Sequence, residues 1–178
     1  MQTNTRPTTK TIVYVGLTAA LIAVCSQISF PLSGGIPVTL QTFAVAFAGY
    51  LLKSKKGTLS VLVFLLLGAV GIPVFAGFKG GLSSVVGLTG GFLTGFILMP
   101  LFCGMAERSK SKILLIVLSL CGLICVHLCG ILWFSHIGNI SVKAAFLRAS
   151  APFIIKDIIS MIVANTLSHK LSSIIDCK

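Results

Sequence analysis

The stretch Ile113–Phe134 reads ILLIVLSLCGLICVHLCGILWF and carries no Asp, Glu, Lys or Arg. It exceeds the roughly 20 apolar residues that a helix needs to cross a bilayer core. The charged turn Glu107, Arg108, Lys110, Lys112 precedes it, and a polar loop, His136–Ser141, follows. The rest of the chain repeats this pattern. Of its 178 residues 56% are hydrophobic and 10% charged, where a soluble domain carries about 25% charged residues. These features predict an all-α integral membrane protein, a single domain over residues 1–178 built as a bundle of six transmembrane helices.

Outward from Ile113–Phe134, the expected spans are Ile12–Ile28, Val38–Leu52, Gly57–Gly71, Leu88–Ala106, Ile113–Phe134 itself, and a sixth that starts at Ala144 or Ala151 and ends at Leu167. The first is too long for the apolar core of a signal peptide. Pro37 suits the first helical position of span 2, whose short length requires the preceding loop to dip into the membrane or be sheltered by protein. Lys53, Lys55 and Lys56 read as a loop, Pro100 as a kink, and Pro152 as a break near the start of span 6. The stretch Val74–Thr94 is apolar but too glycine-rich for a regular helix.

The net charge of +11 does not point to nucleic acid, because no basic stripe is interleaved with aromatics. The Lys and Arg residues cluster between apolar runs. Arg6, Lys10, Lys53, Lys55, Lys56, Arg108, Lys110, Lys112, Lys170 and Lys178 fall on one side of a six-span topology, against Lys79, Lys143 and Arg148 on the other. The positive-inside rule then places both termini in the cytoplasm, as expected of a multi-pass protein of a bacterial inner membrane, with lipid as its surroundings.

Asp157 is the acid that falls inside a span. Such a residue is costly in lipid unless it faces a cavity or a partner, which makes it the first candidate for a binding site; a structural ion pair is the alternative. Its neighbour Lys156 points about 100° away on a helix, so the two are not expected to face one pocket squarely. In the glycine-rich loop, backbone approaches a ligand closely, and Lys79 is its cation, suited to an anionic group. Gly90 and Gly91 also suit a tight helix crossing. Gly16/Ala20 and Ala19/Ala23 form small-residue pairs on span 1, for internal packing or for a partner subunit. Cys121, Cys125 and Cys129 share one face of span 5 and read as small packing residues, with no fourth metal ligand at a fitting spacing. No disulfide framework is expected. No nucleophile elbow, zinc-protease motif or phosphate-cradling loop is present, and no cofactor is implied.

Four segments carry a family resemblance. Ile36-Pro37-Val38-Thr39-Leu40-Gln41-Thr42-Phe43-Ala44-Val45 resembles the signature of the BioY family, the biotin-binding S components of energy-coupling-factor transporters. Leu67-Gly68-Ala69-Val70-Gly71-Ile72-Pro73-Val74-Phe75-Ala76-Gly77, then Gly87-Leu88-Thr89-Gly90-Gly91-Phe92, and last Pro152-Phe153-Ile154-Ile155-Lys156-Asp157 follow in the family's order. The resemblance implies a six-helix S-component fold with an outward-facing vitamin pocket. Asp157 would contact the biotin head group; Gln41, Thr42, Phe75, Thr89, Gly90, Gly91, Phe92 and Lys156 are further candidates, with Lys79 or Arg148 for the carboxylate. Ala19 and Ala23 would contact a coupling transmembrane subunit, and ATPase subunits would supply energy.

The family usually has Gly before this acid and Lys three residues after it, whereas this chain has Lys156 and Ser160. A related vitamin or precursor is therefore the alternative ligand. From other classes, a small intramembrane enzyme and a purely structural subunit are the competing readings.

Overall fold

The computed structural model describes residues 8–30, 36–109 and 111–173. Arg6, Lys110, Asp176, Cys177, Lys178 and the 31–35 part of the loop after span 1 lie outside the described residues. The chain order is α1 (Thr9–Gln27), β1 (Ser29–Phe30), β2 (Val38–Thr39), α2 (Gln41–Ala69), α3 (Leu82–Val86), α4 (Gly90–Gly95), α5 (Leu98–Ala106), α6 (Lys112–Gly138), α7 (Val142–Ala149) and α8 (Ile154–Ser172). Each expected span has a helix at its position. Of these helices, α1 and α6 are long and apolar enough to cross a membrane.

Helix α6 shows how the sequence distributes its faces. Ser119, Gly122, Leu123, Val126, Gly130, Ile131 and Phe134 are buried, at the three- and four-residue spacings of one helical face. Ile113, Ile116, Leu120, Ile124, Leu128 and Leu132 are exposed. On α8, Ile155, Ile159 and Ile162 are exposed in the same way. An outer surface this apolar is unsuited to water and matched to acyl chains. Ser111 caps α6 by accepting from Leu114 N–H at 3.4 Å, and left-handed Asn139 (φ 48°) ends it.

Helix α2 lies at the centre, packed against α1, α5 and α8. It is bent back on itself at Lys53 (φ 64°, ψ 176°). A Cβ on Gly57 would lie 2.6 Å from Ala48 O, although nine residues of straight helix would separate these positions by about 13 Å. The expected lysine loop is therefore a one-residue elbow, with Lys55 and Lys56 already in helix. Gly104 of α5 presses on Ser54 at this elbow, Ser54 Oγ donates to Leu101 O at 3.0 Å, and Lys53 Nζ pairs with Glu107 Oε1 at 3.4 Å. These contacts hold a left-handed conformation that a lysine seldom adopts.

One other boundary differs from expectation, and two prolines break the chain where a kink and a break were expected. Pro37 does not open α2: Val38 and Thr39 pair antiparallel with Phe30 and Ser29, and the helix starts at Gln41. Span 4 divides into α4 and α5 around Phe96–Ile97. Proline at position 100 removes the hydrogen bond to the carbonyl four residues back, that of Phe96, so the break falls where Pro100 puts it. Span 6 divides around Pro152 into α7 and α8. Within the glycine-rich stretch, Leu82–Val86, free of glycine, forms the single-turn helix α3.

On α1, internal packing claims Ala19, which is 2% exposed within the core, and Ala23, half-buried against that core. Close packing against α2 takes up this face, so Ala19 is not open to a partner subunit. The small residues of α1 that face outward are Gly16 and Ala20.

Candidate functional site

A cavity of about 400 Å³ opens beside the N-terminal ends of α2 and α8. Its walls come from β2, the start of α2, the 75–89 segment, α4, α6, the end of α7 and α8. The elbow lysines lie at the other end of the first arm of α2, about 18 Å along its axis.

The apolar wall is set by aromatics seated on glycines. A Cβ on Gly68 would overlap the Phe75 ring, and this close seat leaves Phe75 4% exposed and edge-on to Phe64, with centroids 5.4 Å apart. Likewise, a Cβ on Gly130 would overlap the Phe92 ring. Phe75 and Lys79 close a tight turn through paired backbone hydrogen bonds of 2.9 and 3.2 Å. That turn places Gly77 (φ 73°) and Phe78 (φ 56°) in the left-handed region. Gln27, from the end of α1, clamps it: the amide donates to Pro73 O (3.3 Å) and Phe75 O (3.1 Å) and accepts from Phe78 N–H at 2.9 Å.

The polar wall centres on Asp157, in the first turn of α8 and 5% exposed. A helix N-terminus favours an anion. The Lys156 ammonium contacts Asp157 Oδ1 and donates to Thr39 O at 3.0 Å and Thr42 Oγ1 at 3.5 Å. Lys156 thus reaches the cavity despite the 100° offset, because its long stem lets the ammonium curl back over its neighbour. Ser160 stands one turn further along the same face and lines a separate apolar groove with Leu40, Phe43, Ile155 and Ile159.

Of the residues expected at the site, Gln41, Thr42, Phe75, Lys79, Thr89, Phe92, Lys156 and Asp157 line the cavity. Three do not. Arg148 is exposed on α7. Gly90 and Gly91 sit where α4 crosses α6, and a Cβ on Gly91 would meet Cys129 O at 2.5 Å, the tight crossing that was the competing explanation for them.

The residue that sequence reasoning missed is His127. It lies thirty positions from Asp157, on α6. Its Nε2 is 3.3 Å from Asp157 Oδ2, and its Nδ1 is 2.7 Å from the Ser150 hydroxyl. A histidine within a long apolar run was the available signal, since ionisable groups there are expensive.

Comparison with known proteins agrees with this architecture. Residues 1–176 match the model of the BioY family. A probable biotin transporter BioY of Pyrococcus horikoshii is 38% identical over 162 residues, covering 91% of this chain and 96% of the relative. The biotin transporter BioY of Thermotoga maritima is 37% identical over 164 residues, covering 92% and 96%. Among solved structures, the S-component for biotin from an ECF-type ABC transporter superposes with a TM-score of 0.84 at 28% identity, covering 97% of this chain and 95% of that one. With a match along almost its whole length, and with the four motif segments lying around one cavity, the chain belongs to the BioY family.

Proposed function

We propose that this protein is the biotin-capturing membrane subunit of an energy-coupling-factor-type transporter. The observation that carries the reading is a single buried acid, Asp157, set in the wall of an otherwise largely apolar cavity. Biotin combines a urea with two N–H donors, an apolar thioether ring and a carboxylate tail. The Asp157 carboxylate accepts from urea N–H through charge-assisted bonds; Gln41, Thr42 and Thr89 add polar contacts; Phe75 and Phe92 bury the ring; and Lys79, at the exposed rim, meets the carboxylate. Lys156 supplies the cation that Ser160 does not.

Six helical crossings, with the cavity on the external side and both termini cytoplasmic, fit the charge distribution. The elbow lysines lie at the opposite end of the bundle from the cavity, beside Glu107. The chain hydrolyses nothing: it binds, and partner ATPases act through a coupling membrane subunit. Biotin-binding isotherms on the purified chain and on Asp157→Asn test the reading. Wild-type binding lost in the variant supports it, and a wild type that binds no biotin would overturn it.

A further inference from the structure

Between α2 and α4, the segment 72–89 turns polar side chains inward and apolar ones outward. Lys79, Ser83, Ser84 and Thr89 line the cavity. Phe78, Leu82 and Val86 are 73%, 67% and 58% exposed, and Leu82 and Val86 share one face of α3 at a four-residue spacing. A surface segment in water has the opposite arrangement, with serine outside and leucine inside. Phe78 is displayed by a left-handed backbone (φ 56°) that a bulky residue rarely adopts, and its N–H is bound to Gln27 Oε1 at 2.9 Å.

Geometry places this segment at membrane depth. The second arm of α2, residues 54–69, leaves the charged Lys53–Glu107 elbow and rises about 24 Å. On the return, the apolar stretch Gly90–Ala106 comes back to the same elbow over about 25 Å. Both fall short of the ~30 Å hydrocarbon core. The elbow charges belong at or beyond one edge of that core, so the segment joining the two arms lies at or inside the opposite edge. Trp133 marks that level independently: its indole N–H donates to Gly87 O at 2.9 Å, and tryptophan concentrates at membrane interfaces. Across residues 57–106 the one charge is Lys79, which lines the cavity. Irregular backbone at such depth is tolerated where it lines a cavity, as this segment does.

The outward face also continues a lipid-facing stripe. Leu59, Leu62, Leu66 and Val70 are exposed along the second arm of α2, at the three- and four-residue spacings of one helical face. From Val70 the chain passes through exposed Ile72 into the segment. We infer that residues 72–89 are a bilayer-seated wall of the binding cavity: Phe78, Leu82 and Val86 insert into the leaflet on the cavity side, and lipid, rather than a second copy of the chain, covers them. The membrane thereby holds one wall of the site in place, and ligand affinity depends on that seat.

Spin labels on the full chain in phospholipid nanodiscs test the seat. Phe78→Cys, Leu82→Cys and Val86→Cys, in a background lacking the native cysteines, are compared with Leu62→Cys on the lipid-facing stripe and Lys79→Cys at the cavity rim. Labels at 78, 82 and 86 are expected to collide with dissolved oxygen in severalfold preference to a water-soluble nickel chelate, as at position 62, while position 79 shows the reverse. Labels at 82 and 86 that meet the chelate as position 79 does would stand in water, and labels shielded from both would lie under protein; either result overturns the proposal.

Leu82→Glu tests the consequence, and this arm rests on the biotin reading. An acid on a lipid-facing surface is costly, so it should displace the wall and weaken biotin binding severalfold in nanodiscs, whereas Leu82→Met binds as wild type does. An unchanged affinity in Leu82→Glu overturns the link between the seat and the site. A wild type that binds no biotin removes the biotin reading alone and leaves the spin-label comparison to decide the seat.

Discussion

Lys156 and Asp157 are consecutive residues of α8, yet their charged groups meet in the wall of one cavity. The acid is 6% exposed at its side chain and the lysine 26%. The ammonium also ties α8 to β2 and α2 through Thr39 and Thr42. One side chain therefore balances the charge of the acid and fastens two walls of the site together.

Removing the negative charge should abolish most ligand capture. Asp157→Asn exchanges a charge-assisted acceptor for a neutral amide, and about 1.5–3 kcal/mol of interaction is at stake. The expected outcome is a roughly tenfold to hundredfold rise in the Kd for biotin, read by isothermal titration.

Removing the positive charge should act on the fold as well as on binding. Lys156→Met leaves Asp157 buried with its principal counter-charge gone, a kind of change that costs several kcal/mol when fully buried and about 2 kcal/mol for a lysine as exposed as this one. A lower melting temperature is expected for Lys156→Met, partly restored in the double variant with Asp157→Asn. A double variant less stable than either single one would contradict the coupling.

The clamp on the 75–79 turn has its own signature. Gln27→Ala deletes three hydrogen bonds to Pro73, Phe75 and Phe78, each worth about 1 kcal/mol. Hydrogen exchange at residues 75–80 should accelerate and biotin affinity fall severalfold, while exchange in α6 stays as in wild type.

At the far end of the bundle, Gly104→Ala drives a methyl group into backbone atoms of Lys53 and Ser54. Overpacking of this kind costs about 1–3 kcal/mol. The variant should melt earlier and, where folded, bind biotin as wild type does, because the elbow is remote from the cavity.

Sidedness is open to chemical labelling in intact cells with a membrane-impermeant maleimide, in a background lacking the native cysteines. Lys79→Cys should react from outside and Lys55→Cys only after permeabilisation. The reverse pattern would invert the topology.

Much of this was legible before any coordinates. Apolar run length marks helices wherever a bilayer is the solvent, because unpaired backbone is intolerable there; Pro100 and Pro152 marked breaks because a missing N–H is a local defect. Val38–Thr39 and the Lys53 elbow were not legible. A two-residue strand is stabilised by its partner across the loop, and the left-handed lysine by Gly104 and Glu107, some fifty residues on.

The sequence by itself determined that this is a helical membrane protein, that Asp157 is an acid within an apolar span, and that Gln41, Thr42, Phe75 and Phe92 belong to the family's motif segments. Tertiary structure alone decided which side chains meet that acid. It brought in Lys156, which helical geometry had pointed elsewhere, and His127 and Ser150, which no spacing connects to it. It also left Gly90, Gly91 and Arg148 out of the cavity wall. The physical reason is that periodicity records how a residue relates to its own helix, while a binding site is formed where several helices present different faces to one space.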